Sequence, residues 1–160
     1  MSNGVTPKSV EALGRRHLML FGGRASRELS QEVAQHLGIE CGSVDIRDFA
    51  NGETYARFGE SVRGTDAFVI QTHAFPVNER IMEQLVMIDA LKRASAKRIT
   101  VIAPFYPYAR QDKKHRGREP ISGRLVSDLY KTAGAARPTP RSSSAGRGRR
   151  REPRARRPGR

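Results

Sequence analysis

Cysteine is almost missing from the chain. Cys41 is the only one among 160 residues, so neither a disulfide framework nor a cysteine-based metal cluster can be built, which suits a reducing, cytoplasmic setting. Tryptophan is absent and aromatics make up only 6%. No apolar run approaches the roughly 18 residues of a membrane span. The N-terminus passes through Lys8, Arg15 and Arg16 without an apolar h-region, which argues against a secretory leader. The four histidines, at positions 17, 36, 73 and 115, form no H-x-x-x-H or H-E-x-x-H pair, so zinc is not signalled. Three nucleotide signatures are also missing: the G-x-x-x-x-G-K loop followed by Ser or Thr, the G-x-G-x-x-G fingerprint and the kinase catalytic loop. A standard P-loop is excluded.

Acidic side chains are scarce as well, 16 against 30 Lys and Arg, for a net charge of +14. The excess is concentrated. Residues 136–160 hold ten Arg and one Glu, a net of +9, which leaves 20 basic against 15 acidic side chains in residues 1–135, a net of +5. A body at +5 is ordinary for a soluble enzyme, so the overall charge is no argument for a nucleic-acid binder. The last 25 residues contain no Val, Ile, Leu, Met, Phe or Tyr. Such a segment cannot bury enough apolar surface to offset its ordering entropy and is expected to be disordered. The reading is therefore one domain over 1–135 and a basic Arg/Pro-rich tail over 136–160.

What the body does contain is an alternation of short β-like runs and helix-period stretches, the pattern of a parallel α/β sheet. Leu18 to Phe21 is a strand ended by Gly22-Gly23. Ser26 is then placed to cap a helix with Leu29, Val33 and Leu37 on one face, closed by Gly38. Val44 to Phe58 reads as strand, turn and strand, with Asn51-Gly52 at the turn. Ala67 to Gln71 is a buried strand, followed by a helix capped by Asn78 with Ile81, Leu85, Ile88 and Leu91 on one stripe. Arg98 to Ala103 is the next strand, stopped by Pro104. A polar loop leads to a helix capped by Ser122, with Leu125, Val126, Leu129 and Tyr130 predicted to face inward and Gly134 to end it.

Two stretches carry candidate chemistry. Tyr106-Pro107-Tyr108-Ala109-Arg110-Gln111-Asp112-Lys113-Lys114 leaves the carboxyl end of a strand, where open parallel sheets bind ligands. Arg110 can fork onto a phosphate and Gln111 supplies both a donor and an acceptor. Phe49-Ala50-Asn51-Gly52-Glu53 sits on the turn between two strands. There Phe49 can stack on a purine while Asn51 and Glu53 read its polar edge. Taken singly, the first is more plainly a solvated charged loop and the second a hairpin turn.

Taken together with Gly59-Glu60-Ser61-Val62-Arg63-Gly64 and Glu119-Pro120-Ile121-Ser122, in this order and spacing, they closely resemble the N-terminal half of ribose-phosphate pyrophosphokinase. The likeness runs from about His17 to Ala135. It implies a phosphoribosyltransferase-like α/β domain with a mainly parallel sheet and helices on both faces. It also implies transfer of the β,γ-pyrophosphoryl group of ATP to ribose 5-phosphate for nucleotide biosynthesis, with Mg²⁺, in a homo-oligomer. By the same resemblance Phe49, Asn51, Gly52 and Glu53 are the adenine positions, the turn being contributed by a neighbouring subunit, and Arg110 and Gln111 are the phosphate positions.

The chain departs from the family after Ala135, where a strand and a D-x-H segment with a magnesium-ligating His are expected and the Arg-rich tail stands instead. The resemblance places the metal ligands, the catalytic loop and the ribose-phosphate loop downstream, so no catalytic or metal residue is assigned within this chain. Asp112 and His115 match no metal position. Loss of the next strand is expected to leave an exposed sheet edge and apolar surface, and hence a tendency to aggregate. The composition of the tail suggests a reading-frame shift after about codon 135. Three readings follow: a family member holding only the ATP-side half and inactive alone; a non-catalytic regulatory or interaction subunit; and a polyanion binder acting through the tail. The last is weakened because no stacking aromatics are interleaved with the tail's charges.

Overall fold

The computed structural model of the chain describes residues 18–140. In chain order these form β1 (Leu18–Gly22), a single 3-10 turn (Arg24–Ser26), α1 (Arg27–Leu37), β2 (Val44–Asp48), β3 (Thr54–Phe58) and β4 (Asp66–Ile70). There follow α2 (Val77–Arg93), β5 (Arg98–Ala103), α3 (Ser122–Ala133) and β6 (Arg137–Pro140). Four strands make one parallel sheet in the order β1-β4-β5-β6, and β2 and β3 pair antiparallel as a separate hairpin. In the sheet Phe21 stands beside Val69 and Val69 beside Val101. Because strand side chains alternate in direction, that row and its neighbours point to opposite faces.

One face carries Phe21, Val69 and Val101 against Ile81, Ile88 and Leu91 of α2 and Val126 and Tyr130 of α3. The other carries Leu20 and Ile70 against Ala34 of α1, with Phe68 and Ile102 packed beside them. Helices thus cover both faces, as the alternating pattern predicts. Among the described residues no helix is long and apolar enough to cross a membrane.

Four expectations are corrected. The inward face of α1 is Ser30 and Ala34 with Val33 packed beside them, as expected for Val33, while Leu29 and Leu37 are exposed. The helix comes so near β1 that a Cβ on Gly22 would stand 2.5 Å from the Ser30 Oγ, a distance only small residues permit. On α3, Val126 and Tyr130 are buried but Leu125 and Leu129 are exposed. The Tyr130 hydroxyl meets buried His73 at 2.8 Å, and Val126 and Tyr130 pack in the core beneath the helix.

The capping assignments move too. α2 begins at Val77 behind Pro76, placing Asn78 inside the first turn, and α3 begins at Ser122 behind Ile121, so neither Asn78 nor Ser122 is the cap. Ser26 does precede α1, yet its hydroxyl accepts the Thr72 N–H at 2.8 Å and ties the helix start to the end of β4. The fourth correction concerns the sheet edge. Ala136 donates its N–H to the Ile99 carbonyl at 2.9 Å, and Arg137 to Pro140 pair in parallel with Thr100 to Ala103. The next strand is therefore present inside the predicted tail. Strand pairing uses backbone groups, which side-chain composition does not report; the pairing forms even though Pro138 and Pro140, in phase with Ala136, have no N–H to donate toward β5. The rest of the predicted tail, 141–160, lies outside the described residues, as does 1–17.

Candidate functional site

The strands of the main sheet all run the same way, so the segments leaving β1, β4 and β5 gather along one edge. At that edge Arg24, which follows β1, meets the foot of the β2–β3 turn. Its guanidinium takes the Asp48 carboxylate in a forked pair, with Nη2 to Oδ1 at 2.9 Å and Nη1 to Oδ2. Asp48 also accepts the Thr54 hydroxyl at 3.0 Å, so a single carboxylate gathers both feet of the turn. The Asp48 carboxyl is held below the usual carboxylate range, first by its hydrogen bond to Arg24.

Within the turn, Phe49 donates its N–H to the Glu53 carbonyl at 2.8 Å and Gly52 to the Phe49 carbonyl at 2.9 Å. Gly52 has φ of 87°, the left-handed region that favours glycine. The Asn51 side chain bends back, Oδ1 accepting the Glu53 N–H at 3.2 Å. Phe49 stands edge-on to Tyr55 with ring centroids 6.1 Å apart and remains 51% exposed. Between the turn and α2 lies a groove of about 550 Å³, lined by Phe49, Gly52, Glu53 and Thr54 on one side and by residues including Asn78 and Met82 on the other. That size is typical of small-molecule sites.

The loop after β5 is braced along its length. The Tyr106 hydroxyl donates to the Gly123 carbonyl at 3.1 Å and the Tyr108 hydroxyl to Asn78 Oδ1 at 2.7 Å. Tyr108 itself has φ of 55°, and its carbonyl accepts the Gln111 N–H at 2.9 Å, closing a turn that presents Ala109 and Arg110 outward. Gln111 Oε1 accepts the Ser122 hydroxyl at 2.6 Å, and the Gln111 carbonyl accepts the Gly123 N–H at 3.1 Å. A side chain on Gly123 would crowd this joint, its Cβ standing 3.1 Å from the Tyr108 carbonyl. On this scaffold Arg110 is exposed and has no hydrogen bond or ion pair among the described residues, and the Gln111 NH₂ is likewise unpartnered.

Of the six residues singled out in the sequence, Phe49, Gly52 and Glu53 share the groove. Asn51 serves the turn instead. Arg110 and Gln111 lie on the neighbouring loop, which meets the groove lining at the Tyr108–Asn78 bond. Among the described residues no group of three or more His, Cys, Asp or Glu could hold a metal ion.

Two clusters escaped the sequence reading. Glu83, fully buried on α2, accepts the Arg24 N–H at 2.6 Å, the Arg24 Nε at 2.6 Å, Gln71 Nε2 at 2.8 Å and an Arg80 guanidinium nitrogen at 3.0 Å. The one signal for it was a carboxylate four residues before buried Met87, on the inward side of α2. His73 is the second. Its backbone N–H and Nδ1 both meet the Phe105 carbonyl, at 3.2 and 3.1 Å, and fix where the β5 loop begins.

Residues 18–134 match the family model described as the N-terminal domain of ribose phosphate pyrophosphokinase. This chain belongs to the ribose-phosphate pyrophosphokinase family. The chain is 67% identical over 123 residues to the ribose-phosphate pyrophosphokinase of Mycobacterium tuberculosis, covering 77% of this chain and 38% of that protein. Against the enzyme of the same name from Streptomyces coelicolor it is 62% identical over 128 residues, 80% of this chain and 40% of that one. It superposes with a TM-score of 0.75 and 67% identity on the phosphoribosylpyrophosphate synthetase of Mycobacterium smegmatis, covering 77% of this chain and 41% of that chain. The chain thus spans about two-fifths of the length of the ribose-phosphate pyrophosphokinases it matches.

Proposed function

We propose that this chain is the ATP-side half of a ribose-phosphate pyrophosphokinase: it binds ATP and, by itself, does not transfer the pyrophosphoryl group. The observation that carries the reading is Arg110, a guanidinium without a partner among the described residues, on a hydrogen-bonded loop at the carboxyl edge of a parallel sheet. Such a group is aimed at a polyanion, and the free Gln111 NH₂ beside it adds a second donor. Pyrophosphoryl transfer depends mostly on positioning and charge neutralisation, which are the services these two residues offer. The half-exposed Phe49 ring, steadied by Tyr55, supplies a face for adenine. Glu53 offers an acceptor for its amino group, and Gly52 leaves the approach open. Asn51 contributes by shaping the turn.

Magnesium enters on this reading as the counter-ion of the ATP phosphates, not as a metal held by these residues. Ribose 5-phosphate is the acceptor of the intact family enzyme, in the cytoplasm and in a homo-oligomer in which a neighbouring subunit completes the ATP site with its own β2–β3 turn. Titration calorimetry of the purified chain with ATP and magnesium tests the first part. Saturable binding is expected, weakened about tenfold or more in Arg110→Ala, since hydrogen bonds between charged groups contribute about 1.5–3 kcal/mol each. Absence of ATP binding refutes the reading. Magnesium-dependent AMP formation that requires ribose 5-phosphate refutes the inactivity.

A second reading has one observation in its favour. Leu125 and Leu129, 57% and 41% exposed, form an i, i+4 apolar pair on α3, the kind of surface a subunit contact covers. As a regulatory or interaction subunit the chain would co-purify with an intact homologue, and it would fail to do so when both leucines are replaced by lysine.

A further inference from the structure

We propose that Arg24 is a positioning residue for the β2–β3 turn: its guanidinium ties Asp48, at the foot of the turn, to Glu83 on α2, and so sets the groove that Phe49, Gly52 and Glu53 line. The inference rests on the ATP-side reading for its functional meaning, but its geometry stands apart. The groove has two walls, the turn and α2, and β2 and β3 belong to a sheet of their own. Packing holds the body of the hairpin to α2, with Ile46 in the same core as Ile81 and Ile88 and with Ala56 and Phe58 against it, but no strand ladder ties the turn at its tip to the helix. Arg24 adds that tie with both ends of one planar group. Its Nε meets Glu83 at 2.6 Å and its two Nη atoms meet the two oxygens of Asp48.

The anchor end is the stronger. Glu83 is fully buried and also receives the Arg24 N–H, Gln71 and Arg80, so the guanidinium is attached to a carboxylate that cannot turn away. The far end is the adjustable one, because Asp48 is exposed and holds Thr54 as well as Arg24. Lysine could not replace Arg24, since a single ammonium cannot reach Glu83 and both Asp48 oxygens in one plane. Glu83 follows Met82, which lines the groove, so the tie is made beside the wall it positions.

Backbone hydrogen exchange of the full chain, with and without ATP and magnesium, tests the assignment through two variants. Arg24→Ala cuts both ends of the tie and risks unfolding, since it strips a buried carboxylate of its charged Nε donor while leaving only the backbone N–H of residue 24. Asp48→Asn releases only the turn and leaves the Arg24–Glu83 pair intact. In Asp48→Asn the amides of Phe49 and Gly52 are expected to exchange about tenfold faster or more, while amides of β4 and β5 keep their protection. ATP affinity is expected to fall in the same proportion or more. A general loosening would raise exchange everywhere. Unchanged exchange at Phe49 and Gly52, or an equal rise in the sheet, overturns the proposal. If the wild-type chain binds no ATP, the ATP-side reading fails on that result, and the exchange contrast still decides the tie.

Discussion

At Nδ1 the His73 ring meets the Phe105 carbonyl, which can only accept, so that nitrogen carries the proton. Nε2 is then the acceptor for the Tyr130 hydroxyl at 2.8 Å. Burial pushes the imidazole below its ordinary value and the phenol above its own, so both groups stay neutral in the fold. The consequence for stability has a definite sign. In the unfolded chain the ring takes up a proton below about pH 6.5, whereas the folded ring resists it, so the unfolded state binds more protons there. Stability from this site is complete above about pH 6.5 and declines as pH falls toward the lower folded value, by up to about 1.4 kcal/mol per pH unit. Melting temperatures taken from pH 8 to 5 are expected to drop below about 6.5, and the drop to be smaller in His73→Gln. Identical profiles for the two chains would rule the site out as the source. Tyr130→Phe removes the donor and leaves Nε2 buried without a partner, at a cost of about 1–3 kcal/mol in urea unfolding at pH 8.

Among the elements, the β2–β3 turn is where sequence and structure agree most closely. Asn51-Gly52 between two alternating runs announces a turn, and Gly52 does occupy positive φ with nothing within 4 Å of an added Cβ. Gly52→Ala is therefore expected to cost only the backbone penalty, about 1 kcal/mol, with the groove otherwise unfilled. Equilibrium unfolding measures that, and a loss of several kcal/mol would mean that the turn rearranges. The strands and helix spans were legible for the same reason, since period and punctuation are local. Which side of a helix faces in was not always legible. On α1 the sheet selects Ser30 and Ala34 because the helix approaches Gly22 too closely for leucine, and on α3 core packing together with a hydrogen bond to His73 buries Tyr130. Both are tertiary constraints with no local trace. The same holds for the site. Phe49, Gly52, Glu53, Arg110 and Gln111 stand out by motif, whereas Arg24, Asp48 and Glu83 come from three separate elements and make a cluster only once folded.

At the scale of the molecule, the apolar surface still uncovered decides how the chain behaves in solution. Phe75 is 94% exposed, and Phe105, Met82, Leu125 and Leu129 are all more than two-fifths uncovered. One source of stickiness that the composition foretold is reduced, because β6 covers the edge of β5. Its own ladder is weak for a physical reason: Ala136 donates to Ile99, but Pro138, next in the same phase, has no N–H with which to continue the series. Removing residues 136–160 takes β6 away and returns the β5 edge to solvent. The full chain is expected to self-associate through its apolar surface, as seen by sedimentation velocity across a range of concentrations. The truncated chain should do so at concentrations several-fold lower, because a bare strand edge is added to that surface. Leu125→Lys with Leu129→Lys separates the two contributions. If the α3 surface dominates, this pair suppresses association in the full chain and leaves the truncated chain associating through β5. A full-length chain that stays monomeric at every concentration, with a sharp cooperative melt, would show that these exposed side chains do not drive association.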